Sequence, residues 1–271
     1  ARTNYQPGTD NSELDLQEVY GEYLVPLGNG LKIQAGKINT LIGLEVINSW
    51  ENPNFSRSFT FGLSQAFTTT GIRFTYPFAS WATATIGLIN GWDNIEDNNR
   101  GKSFEYLVAF TPDPKFGISF YGSYGPEQGN GNSQFGNAAT AVCQTYTIQC
   151  DPSAKRTVVG SLITIKPTDS DTLILEPYYG NEGNASGTDI NGQLYNQSRN
   201  ARWDAILAYY THDFNDQTQP NAFSLRVSRL PVLKRQDLKG TLRRPSSPVP
   251  TKTPAHSAAW PSNGPRQTTR R

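Results

Sequence analysis

The stretch GIRFTYPF at Gly71–Phe78 and the stretch WATATIGLING at Trp81–Gly91 decide the fold of this chain. In both stretches, apolar or aromatic side chains alternate with polar or small ones. A period of two over eight or more residues is typical of a β-strand with two different faces. Only Ala79 and Ser80 separate the stretches, so the pair is predicted to form a tight β-hairpin.

The same alternation recurs along most of the chain, at the length that a tilted membrane-crossing strand needs. It predicts ten strands, of which the last four alternate more weakly. Pro177 is an awkward residue in one of those four, because proline cannot donate a hydrogen bond to a neighbouring strand. The predicted strands are Gln17–Pro26, Leu31–Ile38, Gly71–Phe78, Trp81–Gly91, Ser103–Thr111, Phe116–Tyr124, Arg156–Lys166, Thr172–Gly180, Ala201–Thr211 and Asn221–Ser228.

The connections between these strands are short and long in strict turn, as a membrane barrel with tight turns at one end and large loops at the other requires. The pattern predicts an all-β, antiparallel up-and-down transmembrane β-barrel with ten visible strands, incomplete at both ends. A soluble carbohydrate-binding β-sandwich would also alternate, but it has no reason to place every long loop at one end. The short connections are Leu27–Gly30, Ala79–Ser80, Pro112–Lys115, Pro167–Asp171 and His212–Pro220, and the long ones are Asn39–Thr70, Trp92–Lys102, Gly125–Lys155 and Asn181–Asn200.

The composition agrees with a barrel. Hydrophobic residues make up 36% of the chain, and no segment approaches the roughly 20 apolar residues of a helical membrane span. A barrel can be this polar because half of each strand and all of its loops are wet. Aromatic residues lie near strand ends, as in interfacial girdles, although ordinary aromatic packing is the alternative. They are Phe78, Trp81, Trp92, Phe110, Phe116, Trp203 and Tyr209.

The two ends of the chain are unlike a barrel. The chain starts at Ala1 and has neither Met nor an apolar signal-peptide core, so an N-terminal part with the export signal is expected to be missing. Residues 1–228 carry 14 Lys and Arg against 22 Asp and Glu, whereas residues 229–271 carry 10 against 1. The basic C-terminal stretch also has seven prolines and no strand period.

We interpret residues 1–228 as a barrel fragment and residues 229–271 as an unstructured tail. Out-of-frame sequence that starts near Ser228 is the favoured origin of this tail, because the alternation stops abruptly there. A basic arm for nucleic acid or anionic lipid and a tail without structure are the alternatives. Because out-of-frame sequence is the favoured origin of the tail, no nucleic-acid partner is expected.

Polar side chains on one parity of the strands are predicted to line a wet lumen. A Lys or Arg that faced lipid at mid-depth would cost about 2–4 kcal/mol, so these residues are expected to face inward. An ordinary solvated strand face would look the same in sequence, and only the topology separates the two. The predicted pore-lining residues on strands are Glu18, Glu22, Lys32, Gln34, Arg73, Thr75, Glu105, Ser119, Tyr121, Glu176 and Arg226.

The long connection Asn39–Thr70 is the best candidate for a functional element. It contains apolar residues such as Ile42 and Val46 that a solvated loop does not need. We expect it to fold inward and narrow the lumen, which would bring Glu45 and Arg57 into the pore lining, with charges of both signs at the narrowest point. An external loop packed on the rim is the alternative.

Cysteine and histidine suggest little further chemistry. Cys143 and Cys150 lie in one long loop, where the oxidising cell surface favours a disulfide over free thiols. A metal site is not expected, because the histidines are remote from the cysteines, and the acidic stretch Asp93–Asn99 lacks the spacing of a calcium loop. A lipase or protease would need His212 as its base, but His212 lies on the side of the short turns.

Five short stretches of the chain resemble the OmpL-like β-barrel porins of Gram-negative bacteria. They are Gly28-Asn29-Gly30-Leu31 with Ala35-Gly36-Lys37, then Asn52-Pro53-Asn54-Phe55-Ser56-Arg57-Ser58, which is the most specific, then Thr70-Gly71-Ile72-Arg73, and Asn90-Gly91-Trp92-Asp93. The resemblance covers residues 17–228. It implies an outer-membrane barrel that passes small solutes and has no enzymatic activity.

The predicted function is therefore passive diffusion of small hydrophilic solutes or ions across a bacterial outer membrane. The expected partners are outer-membrane lipid and the solutes themselves, with no cofactor, and a homo-oligomer is left open. A non-conducting adhesin or a scaffold that displays the long loops is the alternative function.

Overall fold

The structure is a computed structural model that describes residues 16–97, 99, 101–128, 151–188, 194–214 and 222–229. The chain divides into two units, Ala1–Lys234 and Arg235–Arg271, and every described residue belongs to the first. Residues 230–271, Cys143 and Cys150 lie outside the described residues. The tail over 229–271 and the disulfide therefore stay predictions.

Ten antiparallel strands form one sheet in which each strand pairs with the next along the chain. The predicted all-β, up-and-down architecture is confirmed. The ladder runs from β1 to β10, and no pairing between β1 and β10 closes the sheet within the described residues. The strands are β1 (Val19–Val25), β2 (Leu31–Asn39), β3 (Thr68–Ala79), β4 (Ala82–Ile89), β5 (Ser103–Asp113), β6 (Phe116–Pro126), β7 (Lys155–Ile165), β8 (Asp171–Thr188), β9 (Leu194–Asp213) and β10 (Ala222–Arg229).

The hairpin of β8 and β9 is longer than predicted. The sequence predicted a long loop over Asn181–Asn200, but the two strands continue to Thr188 and resume at Leu194. Their pairing continues through two register shifts between Glu182 and Gly187. The glycines and asparagines of this stretch are residues common in loops, so the sequence pattern did not show these strand ends. Pro177 is accommodated within β8, opposite Ile206 of β9.

The connection between β2 and β3 carries the helical structure of the described residues. It contains a 3₁₀ turn over Ser49–Glu51 and one short helix, α1, over Phe59–Ser64. Ser58 caps α1, because its side chain accepts a hydrogen bond from the Phe61 amide. Within the described residues, no helix has the length and apolar character that a membrane crossing needs.

The strand register sorts the side chains onto two faces, because directly paired residues point to the same side of a sheet. One face, here called the inner face, includes the continuous row Lys32, Thr75, Thr85, Leu107, Tyr121, Gly160, Tyr178 and Ala205. The other, the outer face, includes the row Ile33, Phe74, Ile86, Tyr106, Gly122, Val159 and Tyr179. The two rows separate polar from apolar side chains in β2–β4, as the alternation predicts.

The sheet is curled around the connection between β2 and β3. Six strand spacings separate β2 from β8, which is about 29 Å in a flat sheet. Only five residues lead from Asn39, at the end of β2, to Leu44, and they span at most about 17 Å. Nevertheless, the Leu44 amide lies 3.3 Å from a carboxylate oxygen of Glu176 in β8. The inner face is therefore concave.

Neighbouring residues of β4 offer a direct test of the two faces. Ile86 on the outer face is 49% exposed, and Thr85 on the inner face is 6% exposed. In a lipid bilayer, Ile86→Cys is expected to react with a lipid-soluble maleimide and Thr85→Cys is not, because only position 86 contacts acyl chains. Both variants need alanine at positions 143 and 150. Labelling at 85 but not at 86 would reverse the assignment of the faces.

Candidate functional site

The inner face carries a buried ion pair between β3 and β5. The Arg73 guanidinium donates to the Glu105 carboxylate at 2.5 Å and to the Thr69 hydroxyl at 2.6 Å. Gly87 of β4 lies between the partners, and a Cβ at Gly87 would come within 2.8 Å of a Glu105 carboxylate oxygen. Two of the predicted pore-lining residues thus meet across a glycine that leaves room for their side chains.

Glu45 attaches the connection between β2 and β3 to the far end of the sheet. Its buried carboxylate accepts hydrogen bonds from the Ser58 amide at 3.0 Å, from the Ser58 hydroxyl and from the Tyr209 hydroxyl of β9. Arg226 of β10 donates to the same carboxylate at 2.9 Å. Arg226 also donates to the Ser56 carbonyl at 2.5 Å. Glu45 and Arg226, both predicted to line the pore, are therefore brought together.

Glu176 makes a second attachment on β8. Its carboxylate accepts a hydrogen bond from the Tyr121 hydroxyl of β6 and another from the Leu44 amide. Both side chains were predicted to line the pore, and both are fully buried. Their burial is caused by the connection itself, since Ile42 packs in one apolar cluster with Tyr121 and Val158.

The end of α1 makes the third attachment. The Ser64 carbonyl accepts hydrogen bonds from the Tyr178 hydroxyl and from the Trp203 indole nitrogen. We call residues 40–67, from the end of β2 to the start of β3, the inner segment. Its three attachments reach β8, β9 and β10, so it lies against that part of the inner face.

Arg57 stabilises the inner segment itself. Its guanidinium donates to the carbonyls of Val46 at 2.7 Å, Ile47 at 2.7 Å and Phe55 at 2.8 Å, and to the Ser49 hydroxyl at 3.2 Å. From the sequence, Arg57 was predicted to lie beside Glu45 at the narrowest point of the lumen. In the structure the two side chains have separate sets of partners.

The other predicted pore-lining residues lie before β1 or on β1–β4 and β6. Glu22 accepts from Gln34 at 2.9 Å and lies 3.6 Å from the Lys32 amine. Glu18 accepts from the Asn39 amide at 2.8 Å. The hydroxyls of Thr75 and Thr85 are 2.9 Å apart. Ser119 is half-buried on the inner face, opposite Leu162.

Sequence reasoning missed the role of four residues that attach the inner segment: Ser58, Tyr178, Trp203 and Tyr209, of which Trp203 and Tyr209 were expected in the interfacial girdles. The three aromatic residues belong to β8 and β9, where polar and apolar residues do not alternate clearly. Their neighbours on the inner face include Ala205 and Leu207, which are apolar because protein covers them. A capping serine before a short apolar run was the one available signal for Ser58.

A second polar cluster lies at the end of the sheet where the long connections emerge. Asp93 accepts from the amides of Phe67 at 2.7 Å and Thr68 at 2.9 Å, so it fixes the end of the inner segment. Burial raises the pKa of Asp93 to about 6. Burial also raises the pKa of Glu127, whose carboxylate accepts from the Trp92 amide at 2.6 Å.

The buried position of Asp93 at the end of the inner segment is expected to lose stability as pH rises, because ionisation leaves a desolvated charge there. The folded state holds the Asp93 proton up to a pKa of about 6, above the value of 3.8 for a free side chain, so stability is lost between about pH 4 and 7. Hydrogen exchange at the Phe67 and Thr68 amides, corrected for intrinsic rates, measures this loss. Asp93→Asn should flatten the profile and Asp151→Asn should not. An equal slope in all three proteins would contradict the assignment.

His212 belongs to a third polar cluster, which lies at the short-turn side of the sheet. His212 Nδ1 lies 2.8 Å from the Asp171 carboxylate, which also accepts from the hydroxyls of Tyr210 and Thr168. This cluster joins the beginning of β8 to the end of β9 at the short-turn side. Among the described residues, no group of three or more His, Cys, Asp or Glu is arranged to hold a metal ion.

Comparison with known proteins assigns the family. No curated protein and no solved structure matches the chain. The family model for beta-barrel porin-2, OmpL-like, matches residues 1–227, which is nearly the whole stretch that the sequence assigned to a barrel. Such a family implies an outer-membrane location, contact with membrane lipid, and solute passage rather than catalysis. The match and the ten-stranded meander together show that the chain belongs to the OmpL-like β-barrel porin family.

Proposed function

We propose that this protein allows passive diffusion of small hydrophilic solutes or ions across an outer membrane, along the inner face of its sheet. The inner segment narrows the path. The observation that carries the proposal is the attachment of this segment to the inner face of β8–β10 through Glu45, Glu176 and the Ser64 carbonyl. A porin needs a polar wall and a fixed narrow region, and these contacts support the fixed narrow region.

The polar side chains of the wall support a water-filled path. Threonine, glutamine and charged residues occupy the inner positions of β2–β4, whereas the outer positions carry Ile33, Phe74 and Ile86. If lipid covers the outer face and water fills the inner side, the polar side chains stay hydrated and the apolar ones contact lipid. The pore-lining roles of Gln34, Thr75 and Ser119 belong to this proposal.

The attachments support a segment that is fixed in place. All three involve a buried carboxylate or carbonyl whose hydrogen bonds join the inner segment to a strand. Breaking any of them would leave a buried polar group unsatisfied, at a cost of about 1–3 kcal/mol. A segment held by several such bonds is expected to narrow the path permanently.

The proposal is tested by adding the folded full-length protein to a planar lipid bilayer in salt solution. Stepwise, ohmic conductance without any added nucleotide or bound cofactor is the expected result, because diffusion follows the gradient. Heat-modifiable migration on a gel shows independently that the chain is folded. A folded chain that gives no conductance steps would contradict the porin function and favour an adhesin or scaffold that displays its long loops.

A further inference from the structure

Asn94, in the connection between β4 and β5, is buried without a hydrogen-bond partner. It is 2% exposed, and neither the nitrogen nor the oxygen of its amide has a partner. Among the described residues, the other buried side-chain atoms in this condition are Thr60 Oγ1 and Arg156 Nε. Arg156 lies beside the same connection, because its guanidinium carbon is 4.7 Å from the centre of the Trp92 ring. A buried polar group without a partner destabilises a protein, so the amide of Asn94 indicates a place for a bound ligand.

The amide of Asn94 and the carboxylate of Glu127 face one space. A Cβ at Gly91 would lie 2.8 Å from Glu127 Oε2 and 3.0 Å from Asn94 Nδ2, so the glycine leaves this space open. A half-turn of the Asn94 amide exchanges its nitrogen and its oxygen, and Oδ1 then faces the carboxylate. The two side chains can therefore bind one cation, whose oxygen ligands lie at about 2.3–2.6 Å in the case of Ca²⁺.

The Glu127 carboxylate is already oriented by the protein. Glu127 is 3% exposed. Its carboxylate accepts hydrogen bonds from the Trp92 amide at 2.6 Å and from the Ser103 hydroxyl at 2.6 Å. A carboxylate oxygen has two lone pairs, so each oxygen keeps one for a further partner. These bonds fix the direction of the group and leave it able to bind a cation.

The charges of this cluster favour a divalent cation. Arg156 forms an ion pair with Glu182 at 3.0 Å. The same guanidinium interacts electrostatically with Asp93 and with Glu127. When all of these groups are ionised, the described members of the cluster carry three negative charges and one positive charge. Buried charge without compensation is unfavourable. One divalent cation would balance it, whereas an anion would increase the imbalance.

The donor atoms favour Ca²⁺ among the divalent cations. They are carboxylate and amide oxygens, which hard cations prefer. No three carboxylates of the described residues converge on one point, but Ca²⁺ also accepts amide, backbone carbonyl and water oxygens in a flexible shell, whereas Mg²⁺ needs a nearly ideal octahedron. The spacing within Asp93–Asn99 did not predict this site, because Glu127 comes from a different connection, directly after β6.

We propose that Asn94 and Glu127, with Asp93 beside them, bind one Ca²⁺ ion at the end of the sheet where the long connections emerge. This site goes beyond the proposed diffusion and does not depend on it. The ion joins the connection after β4 to the end of β6. Because Asp93 also accepts from the amides of Phe67 and Thr68, bound Ca²⁺ stabilises the end of the inner segment as well.

The test measures Ca²⁺ binding to the folded full-length protein in detergent, by isothermal titration calorimetry at constant ionic strength. One saturable site per chain is expected. Asn94→Leu and Glu127→Gln should each weaken the binding at least about tenfold, because the first removes an oxygen ligand and the second removes the charge of another. Glu96→Gln is the matched control. It removes an exposed carboxylate from the same connection and should bind Ca²⁺ as the wild type does.

Urea unfolding separates a ligand of Ca²⁺ from a residue that is only structural. Without Ca²⁺, Asn94→Leu should be at least as stable as the wild type, since it removes an unpartnered buried amide. With Ca²⁺, the wild type and Glu96→Gln should gain stability and Asn94→Leu should not. If Glu127→Gln does not fold, Asn94→Leu alone decides the result.

Two results would overturn the inference. If the space beside Gly91 holds only water, Ca²⁺ will stabilise the wild type no more than NaCl of the same ionic strength. Equal Ca²⁺ binding by the wild type and Asn94→Leu would show that the ion binds elsewhere. Neither measurement involves conductance, so both results leave the porin function to its own test.

Discussion

Replacing Glu105 by alanine is expected to destabilise the sheet by about 3–5 kcal/mol, because the Arg73 guanidinium would stay buried without its partner. The pair lies on β3 and β5 on either side of Gly87, and both side chains are almost fully buried. Urea unfolding in lipid vesicles, followed by tryptophan fluorescence, measures the loss. An exposed ion pair would contribute only about 0–1 kcal/mol. A larger loss in the free energy of unfolding would therefore show that the pair is buried.

The double variant Arg73→Ala, Glu105→Ala is the control for this prediction. Removing both charges leaves no unpaired ion, so most of the stability lost in Glu105→Ala should return. Glu105→Gln, which keeps an acceptor for Arg73 but no charge, should fall between the two. If the double variant is as unstable as Glu105→Ala, the loss has another cause, such as the cavity that the missing side chain leaves beside Gly87.

Detaching the inner segment is expected to raise the single-channel conductance about twofold or more, since the segment narrows the proposed path. The variant is Glu45→Ala, Arg226→Ala, which removes one negative and one positive charge. It breaks the contacts of the segment with β10 and with the Tyr209 hydroxyl. Single-channel recording in a planar bilayer measures the result. The current should also become noisier, because a segment with fewer attachments moves more.

Lys102→Ala, Asp97→Ala is the matched control. These residues form an ion pair at 2.7 Å in the connection between β4 and β5, so the variant also leaves the net charge unchanged. Its conductance should equal that of the wild type. If Glu45→Ala, Arg226→Ala likewise leaves the conductance unchanged while the protein stays folded, then the inner segment does not narrow the path and the proposed constriction is wrong.

The sequence by itself determined the strands and their order. Alternation in stretches such as Gly71–Phe78 predicted the faces of β2–β4, because one face there contacts apolar surroundings and the other is polar. The short connections predicted antiparallel pairing of neighbours, which the register confirms. Membership of the OmpL-like family was also visible in short stretches of sequence, before any coordinate was known.

The tertiary structure alone decided which residues attach the inner segment. The polarity of the side chains on each face of a strand depends on what covers that face. On the inner face of β8 and β9, the inner segment takes the place of water. The inner positions of β9 could therefore become Ala205, Leu207 and Tyr209, and the alternation that marked the earlier strands faded. Two partners of the Glu45 carboxylate, Tyr209 and Arg226, come from β9 and β10, more than 160 residues away along the chain. Local sequence patterns carry no information about such contacts, because only the curl of the sheet brings these residues together.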